Sequence, residues 1–358
     1  MDNTATLVRL AQLMITRPAL AVGLLDSLAP DEVPAGIAEV VRSRHDLMAG
    51  RIRPADLEQR VMSLQLPPDW VIRRDIVRVT AAFILRDFDL AGRLLEPILP
   101  RIGQFPADII GPAVVIAGRV FAAKGDLTSA LVWNYKGLGM LGDQLPVVRA
   151  SILNNIACEH AGAGSGLTAA ELFHRALEIY TREEYWPPAL LVASNLADIM
   201  MDDGRHEEAL QFLLGWERAH PEVFGLPEAN FFLAIMALAK VRTGRFKEAK
   251  ARLASITVNK TDMDQRFMLL LVGAYIDIAE NRLEPALNQL LALRQETHHE
   301  RGLVAILEPL SDVYAALGNY KLAYDAAVER REILARLKKA IRDISDIEAE
   351  ARRRIRIK

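Results

Sequence analysis

The stretch "EHAGAGSGLTAAELFHRAL", residues 159 to 177, sets Gly162, Gly164 and Gly166 just ahead of a helical pattern. Glycines so placed let backbone N–H groups close on a phosphate at a helix N-terminus. That chemistry also needs a preceding strand and, for a P-loop, a Lys-Ser/Thr after the glycines. The sequence offers neither, so the run reads as a turn around Ser165. Beside it, Cys158, Glu159 and His160 have the types for a Cys/His nucleophile. "ETHHER" puts His298 against His299, and "MDDGRHEEAL" gathers carboxylates. Adjacent histidines on a helix point about 100° apart, and no HExxH accompanies them, so they read as surface residues. Acids at a helix start are favoured there by the helix dipole. The expectation is a chain with no catalytic residue, no cofactor and no metal: not an enzyme.

The elements that would position these residues come from a repeat. "AKGDLTSAL", "DDGRHEEAL", "RTGRFKEAK", "AENRLEPAL" and "ALGNYKLAY" each place Ala five residues after Gly or Asn. Extended backward, the register runs Ala19, Ala55, Ala91, Ala130, Ala170, Ala209, Ala249, Ala286 and Ala323, at intervals of 36, 36, 39, 40, 39, 40, 37 and 37 residues. Gly50, Gly125, Gly204, Gly244, Asn281 and Gly318 suit the left-handed residue that ends a helix. The alanine after each is the side chain small enough for a close crossing with the preceding helix. Twelve positions earlier stand Gly118, Cys158, Ala197, Ala237, Ala274 and Ser311, all small. That register predicts Cys158 to be buried at a crossing, where a thiol is inert. "HEEALQFLLGWERA" and "LEPALNQLLALRQE" carry apolar residues at helical spacing, and alternating strand-type runs are missing.

Helix pairs with this turn, this alanine and a small residue twelve before it resemble the tetratricopeptide repeat. The match is best from residue 110 to 327, and its period exceeds the family's usual ~34 residues. The resemblance implies an all-α superhelical array of antiparallel helix pairs. Residues 1–70 are expected to be divergent helical repeats or a cap, 71–327 tetratricopeptide-like repeats, and 328–358 an extended helix. The last unit also resembles repeat arms that precede output domains in bacterial signalling proteins, such as diguanylate cyclases or transcription regulators. The cyclase's own Gly-Gly-Asp/Glu-Glu-Phe signature is absent from this chain.

In such an array the first helix of each pair lines a concave groove, which commonly binds peptides. Residues eleven before each register alanine are expected inside: Thr80, Arg119, Glu159, Asp198, Leu238, Tyr275 and Asp312. Asn155, Ser194, Asn195, Phe231 and Glu308 are their neighbours. The groove is expected to have acidic spots at Glu159, Asp198 and Asp312 and an apolar stretch around Phe231, Leu238 and Tyr275. Partner contact and internal hydrogen bonding are both open at each position. The Lys/Asn/Arg set by which related repeats grip a C-terminal carboxylate is not found.

From Tyr320 to Lys358 there is neither Gly nor Pro. Leu334, Leu337, Ile341, Ile344, Ala351 and Ile355 follow three-and-four spacing interrupted by Glu348, which fits a dimerising or linker helix as well as a cap on the last repeat. This segment holds twelve Lys/Arg against seven Asp/Glu, whereas the whole chain is at −2. Its tip, "ARRRIRIK", lacks aromatics for base stacking. It reads as a solvated helix end, so nucleic acid is not an expected partner. Cys158 is the only cysteine, which excludes internal disulfides and cysteine zinc sites. No signal peptide is visible, and no apolar run approaches the ~20 residues of a membrane span. The expected function is a cytoplasmic scaffold binding a protein or peptide, acting as the sensory and homodimerising arm of a signalling protein. A stand-alone intracellular peptide receptor is the alternative. A chain ending inside a charged helix fits a piece of something longer.

Overall fold

The computed structural model describes residues 4–29, 31–225, 229–256, 263–297, 300–343 and 349, and every regular element among them is helical. The pairs run α1 (Thr4–Thr16) with α2 (Pro18–Asp26), α3 (Ala35–Met48) with α4 (Pro54–Val61), and α5 (Pro68–Ile84) with α6 (Phe88–Leu95). They continue as α7 (Ala107–Ala123) with α8 (Leu127–Leu141), α9 (Pro146–Gly162) with α10 (Gly166–Arg182), and α11 (Trp186–Asp202) with α12 (His206–Ala219). The last three are α13 (Ala229–Arg242) with α14 (Phe246–Ala254), α15 (Met263–Ala279) with α16 (Leu283–Glu296), and α17 (Glu300–Ala316) with α18 (Tyr320–Asp343). The chain is an all-α solenoid of paired helices.

One turn geometry recurs. At Gly204 the backbone is left-handed (φ +78°). Its N–H donates to the Met201 carbonyl at 2.9 Å, and the Arg205 N–H donates to Met200 at 2.8 Å. These two bonds close the helix end on its own orphan carbonyls. Gly164 has φ +73°, with its N–H on Ala161 and that of Ser165 on His160. The glycine-rich run is thus the α9–α10 turn. Where glycine is replaced, Asn281 (φ +58°) and Arg86 (φ +61°) take the same conformation.

The turn fixes the crossing residue, which is always the fourth in its helix. Ala91, Ala130, Ala209, Ala249 and Ala286 hold that place with no exposed surface, and Ala323 is buried there too. Ala170 does not hold the register. It is half-buried, while Ala169, fourth in α10 and five residues after Gly164, is fully buried. Ala19 and Ala55 are exposed. Pro18 and Pro54 begin α2 and α4 one residue before them, so the fourth positions fall on Ala21 and Leu57, which are buried. The partner position shifts as well: Ala157, Ala197, Ala237 and Ala274 are fully buried, whereas Cys158 is only half-buried. At Gly118 an added methyl would collide with the Asn134 side chain.

Two compact units result, with the boundary between Asn155 and Ile156. The first has a core of Leu10, Met14, Ile37, Val40, Leu57 and Trp70 around α1–α5, and a second of Val79, Ala91, Leu95, Ala117 and Val120 around α5–α7. The buried Arg73 and Asp108 pair links α5 to α7. The second unit, Ile156–Asp343, buries Phe173, Tyr180, Leu213 and Phe232 between its pairs. Because a crossing alanine has no room to grow, Ala249→Leu is expected to cost about 1–3 kcal/mol. Ala55→Leu, on an exposed position, is expected to stay within about 0.5 kcal/mol. Urea denaturation followed by circular dichroism compares them, and equal losses would contradict the assigned register.

Candidate functional site

Each crossing position on a first helix is followed by a residue that lies one step round the same helix. In the second unit these are Cys158, Asp198, Leu238, Tyr275 and Asp312. One turn further along the same faces come Asp202 on α11 and Arg242 on α13, since residues four apart are neighbours on a helix. Glu308 lies a turn before Asp312. Arg330 of α18 joins them by donating through Nη2 to Glu308 Oε2 at 2.8 Å. Four carboxylates therefore belong with two guanidiniums to one cluster whose charges act on one another.

The electrostatics show how confined this face is. Asp198 keeps surface open to solvent, yet burial within the curve of the array pushes its carboxyl up to about 7, helped by the negative charge of Asp202 and opposed by Arg242. Asp202, also exposed, is raised by burial and by Glu308, against Arg242 and Arg330. Burial and Glu308 likewise raise Asp312, with the same two arginines opposing. The Arg242 guanidinium stacks on the Tyr275 ring at 4.4 Å, a cation–π contact, and burial raises the Tyr275 phenol despite it. So α11, α13, α15, α17 and α18 contribute to one charged cluster with an excess of acid.

Other residues expected in the groove are placed differently. Glu159 is buried, because the register slips by one at Ala169 and gives Cys158 the inner slot. Cys158 is accordingly not sealed in a crossing, and its Sγ accepts from Asn195 Nδ2 at 3.6 Å. Ser194 is fully buried with its hydroxyl on the Leu190 carbonyl at 2.7 Å. Leu238 is buried and Tyr275 lies under Arg242, so with half-buried Phe231 they form no open apolar stretch. In the first unit, Asn155 donates to the Val115 carbonyl at 3.1 Å, Thr80 donates to Ile76 at 3.0 Å, and Arg119 lies over the Phe83 ring at 4.4 Å.

Along α18, Leu337 is buried while Leu334 and Ile341 are half-buried. The chain itself therefore uses much of the apolar seam. Ile344, Ala351, Ile355, His298 and His299 lie outside the described residues. Among the described residues, no helix is long and apolar enough to cross a membrane, and no group of His, Cys, Asp and Glu could hold a metal ion.

A carboxyl held near 7 in the fold but at 3.8 in the open chain binds more protons folded than unfolded between those values. Its contribution to stability is therefore present at the acid end and lost as pH rises through the folded value. Asp198→Asn is expected to flatten the decline in stability between about pH 5 and about pH 8. Denaturation midpoints measured at both ends check this, and an unchanged slope would contradict the crowding.

No protein-family model matches the sequence, and no curated protein sequence does. Solved structures do match. A Rap protein complexed with competence and sporulation factor is 14% identical, with a TM-score of 0.69 over 95% of this chain and 99% of its own. NprR in complex with its cognate peptide NprX is 14% identical, with a TM-score of 0.52 over 97% and 98%. The apo form of RapI is 13% identical, with a TM-score of 0.52 over 86% and 99%. At such identities the likeness speaks for architecture, and together with the turn-and-crossing pattern it makes this chain a tetratricopeptide-repeat solenoid.

Proposed function

We propose that the protein is a peptide receptor whose ligand lies along the concave face of residues 156–343. The observation that carries the reading is the excess of acid on that face: Asp198, Asp202, Glu308 and Asp312 against Arg242 and Arg330. An array that crowds like charges inside its curve is poised for a ligand that supplies the missing cation. In a confined site of reduced dielectric, a charge-assisted hydrogen bond from an ammonium or guanidinium is stronger than at an open surface. The fold supports the same reading, since NprR holds its cognate peptide on this architecture and the Rap structure is a complex too.

A receptor in its own right is favoured over the arm of a larger signalling protein. The apolar seam that would make α18 a dimerising linker is partly buried at Leu337. The work this assigns to the site is recognition, with extended peptide backbone along the inner helices and a basic group at the Asp198–Asp202 pair.

Calorimetry with short synthetic peptides tests this, comparing sets that differ only in Lys or Arg against Glu. Basic peptides are expected to bind, with affinity falling as salt screens the cluster. Asp198→Asn combined with Asp202→Asn is expected to weaken them about tenfold or more. Equal binding of basic and acidic peptides, or no loss in the variant, would contradict the proposal.

A further inference from the structure

The helix α18 outruns its partner. Arg336 pairs with Glu300 at 2.8 Å, and Glu300 is the first residue of α17. Everything from Leu337 to Asp343 therefore projects beyond that end of the pair, by about 10 Å at the usual helical rise. The projection is not left in solvent. Leu337 is buried, and the Lys338 side chain reaches the α9–α10 turn, where a methyl placed on Gly164 would meet Lys338 Cε at 3.4 Å and Nζ at 3.7 Å. Near the C-terminus of α9 an ammonium is favoured by the helix dipole. The final helix of this unit thus rests on the unit's first turn.

The same helix also reaches the inner cluster. Two turns before Lys338, Arg330 bonds Glu308, and its charge acts on Asp202 and Asp312. A cation settling among these carboxylates competes with Arg330 for them. One element therefore both touches the α9–α10 turn and takes part in the charged cluster. Beside the buried Leu337, its contact with this turn is made by the exposed Lys338.

We propose that the α18 projection is a strap that closes the concave channel of residues 156–343 by resting Lys338 on the α9–α10 turn, and that it must lift for a ligand to pass. The strap takes its purpose from the receptor reading, but its test needs no peptide. Cys158 is the only cysteine in the chain and is half-buried on the inner face of α9, the helix that ends at this turn. Its modification rate by a small cationic methanethiosulfonate reports access to the channel.

Lys338→Glu is expected to raise that rate about tenfold, corresponding to a tenfold shift in the open–closed equilibrium. Lys338 is exposed, so the variant leaves the core untouched. A second measurement places spin labels at Leu167→Cys and Lys339→Cys in a Cys158→Ser background, both positions being exposed. The unmodified strap is expected to give one short distance that lengthens and broadens with Lys338→Glu. Unchanged Cys158 rates would overturn the strap. Faster rates with an unmoved distance would overturn it equally, because the channel would then open elsewhere. Either failure leaves peptide binding to be judged by calorimetry alone.

Discussion

Two helices can cross closely only where neither side chain at the crossing has bulk. In this protein the fourth residue of each second helix is buried and, except for Leu57 in α4, is alanine; from α7 to α16 the first-helix position twelve before it is Gly118, Ala157, Ala197, Ala237 or Ala274. That one steric demand shapes the rest of the array. The turn must be short, so the first helix ends in a left-handed residue with two closing hydrogen bonds. The van der Waals attraction at each crossing is modest, but a larger residue has nowhere to go.

The inner face is a by-product of the same geometry. A residue one step beyond the crossing on a first helix points into the curve, and so does the residue a turn later. Where those are Asp198, Asp202 and Asp312, the curve brings like charges together that would sit apart on a straight rod. Burial raises all three, Asp202 adds to the rise at Asp198, and Glu308 adds to it at Asp202 and Asp312. Arg242, over the Tyr275 ring, and Arg330, held by Glu308, offset part of that charge without cancelling it. Holding acids in this state costs stability, a cost that ligand binding can recover when the ligand brings a cation.

Much of this was legible in the sequence because it is written in local chemistry. Gly or Asn at a turn, and Ala five residues later, declare themselves without knowledge of the rest of the fold. The errors came where two residues could each fill a slot. "TAAE" offers both Ala169 and Ala170, and only the distance from Gly164 decides between them. That slip exchanged Cys158 for Glu159 on the inner face. In the first pairs, the prolines at the starts of α2 and α4 moved the helix origin, so Ala19 and Ala55 kept the interval but lost the position. Asp202 and Arg242 were recoverable from the four-residue rule applied to Asp198 and Leu238. Arg330 was not, because it belongs to a second helix and enters the cluster only through its bond to Glu308.

The proposed recognition depends on the crowding of acid around Asp198, and the carboxyl carbon of that residue reports it directly. A nuclear magnetic resonance titration of the 13C-labelled protein, assigned by comparison with Asp198→Asn, follows that carbon through its protonation. The predicted midpoint is at about 7. A midpoint in the ordinary aspartate range, about 3.9, would mean that the carboxylate faces open water and that the array encloses no acidic channel.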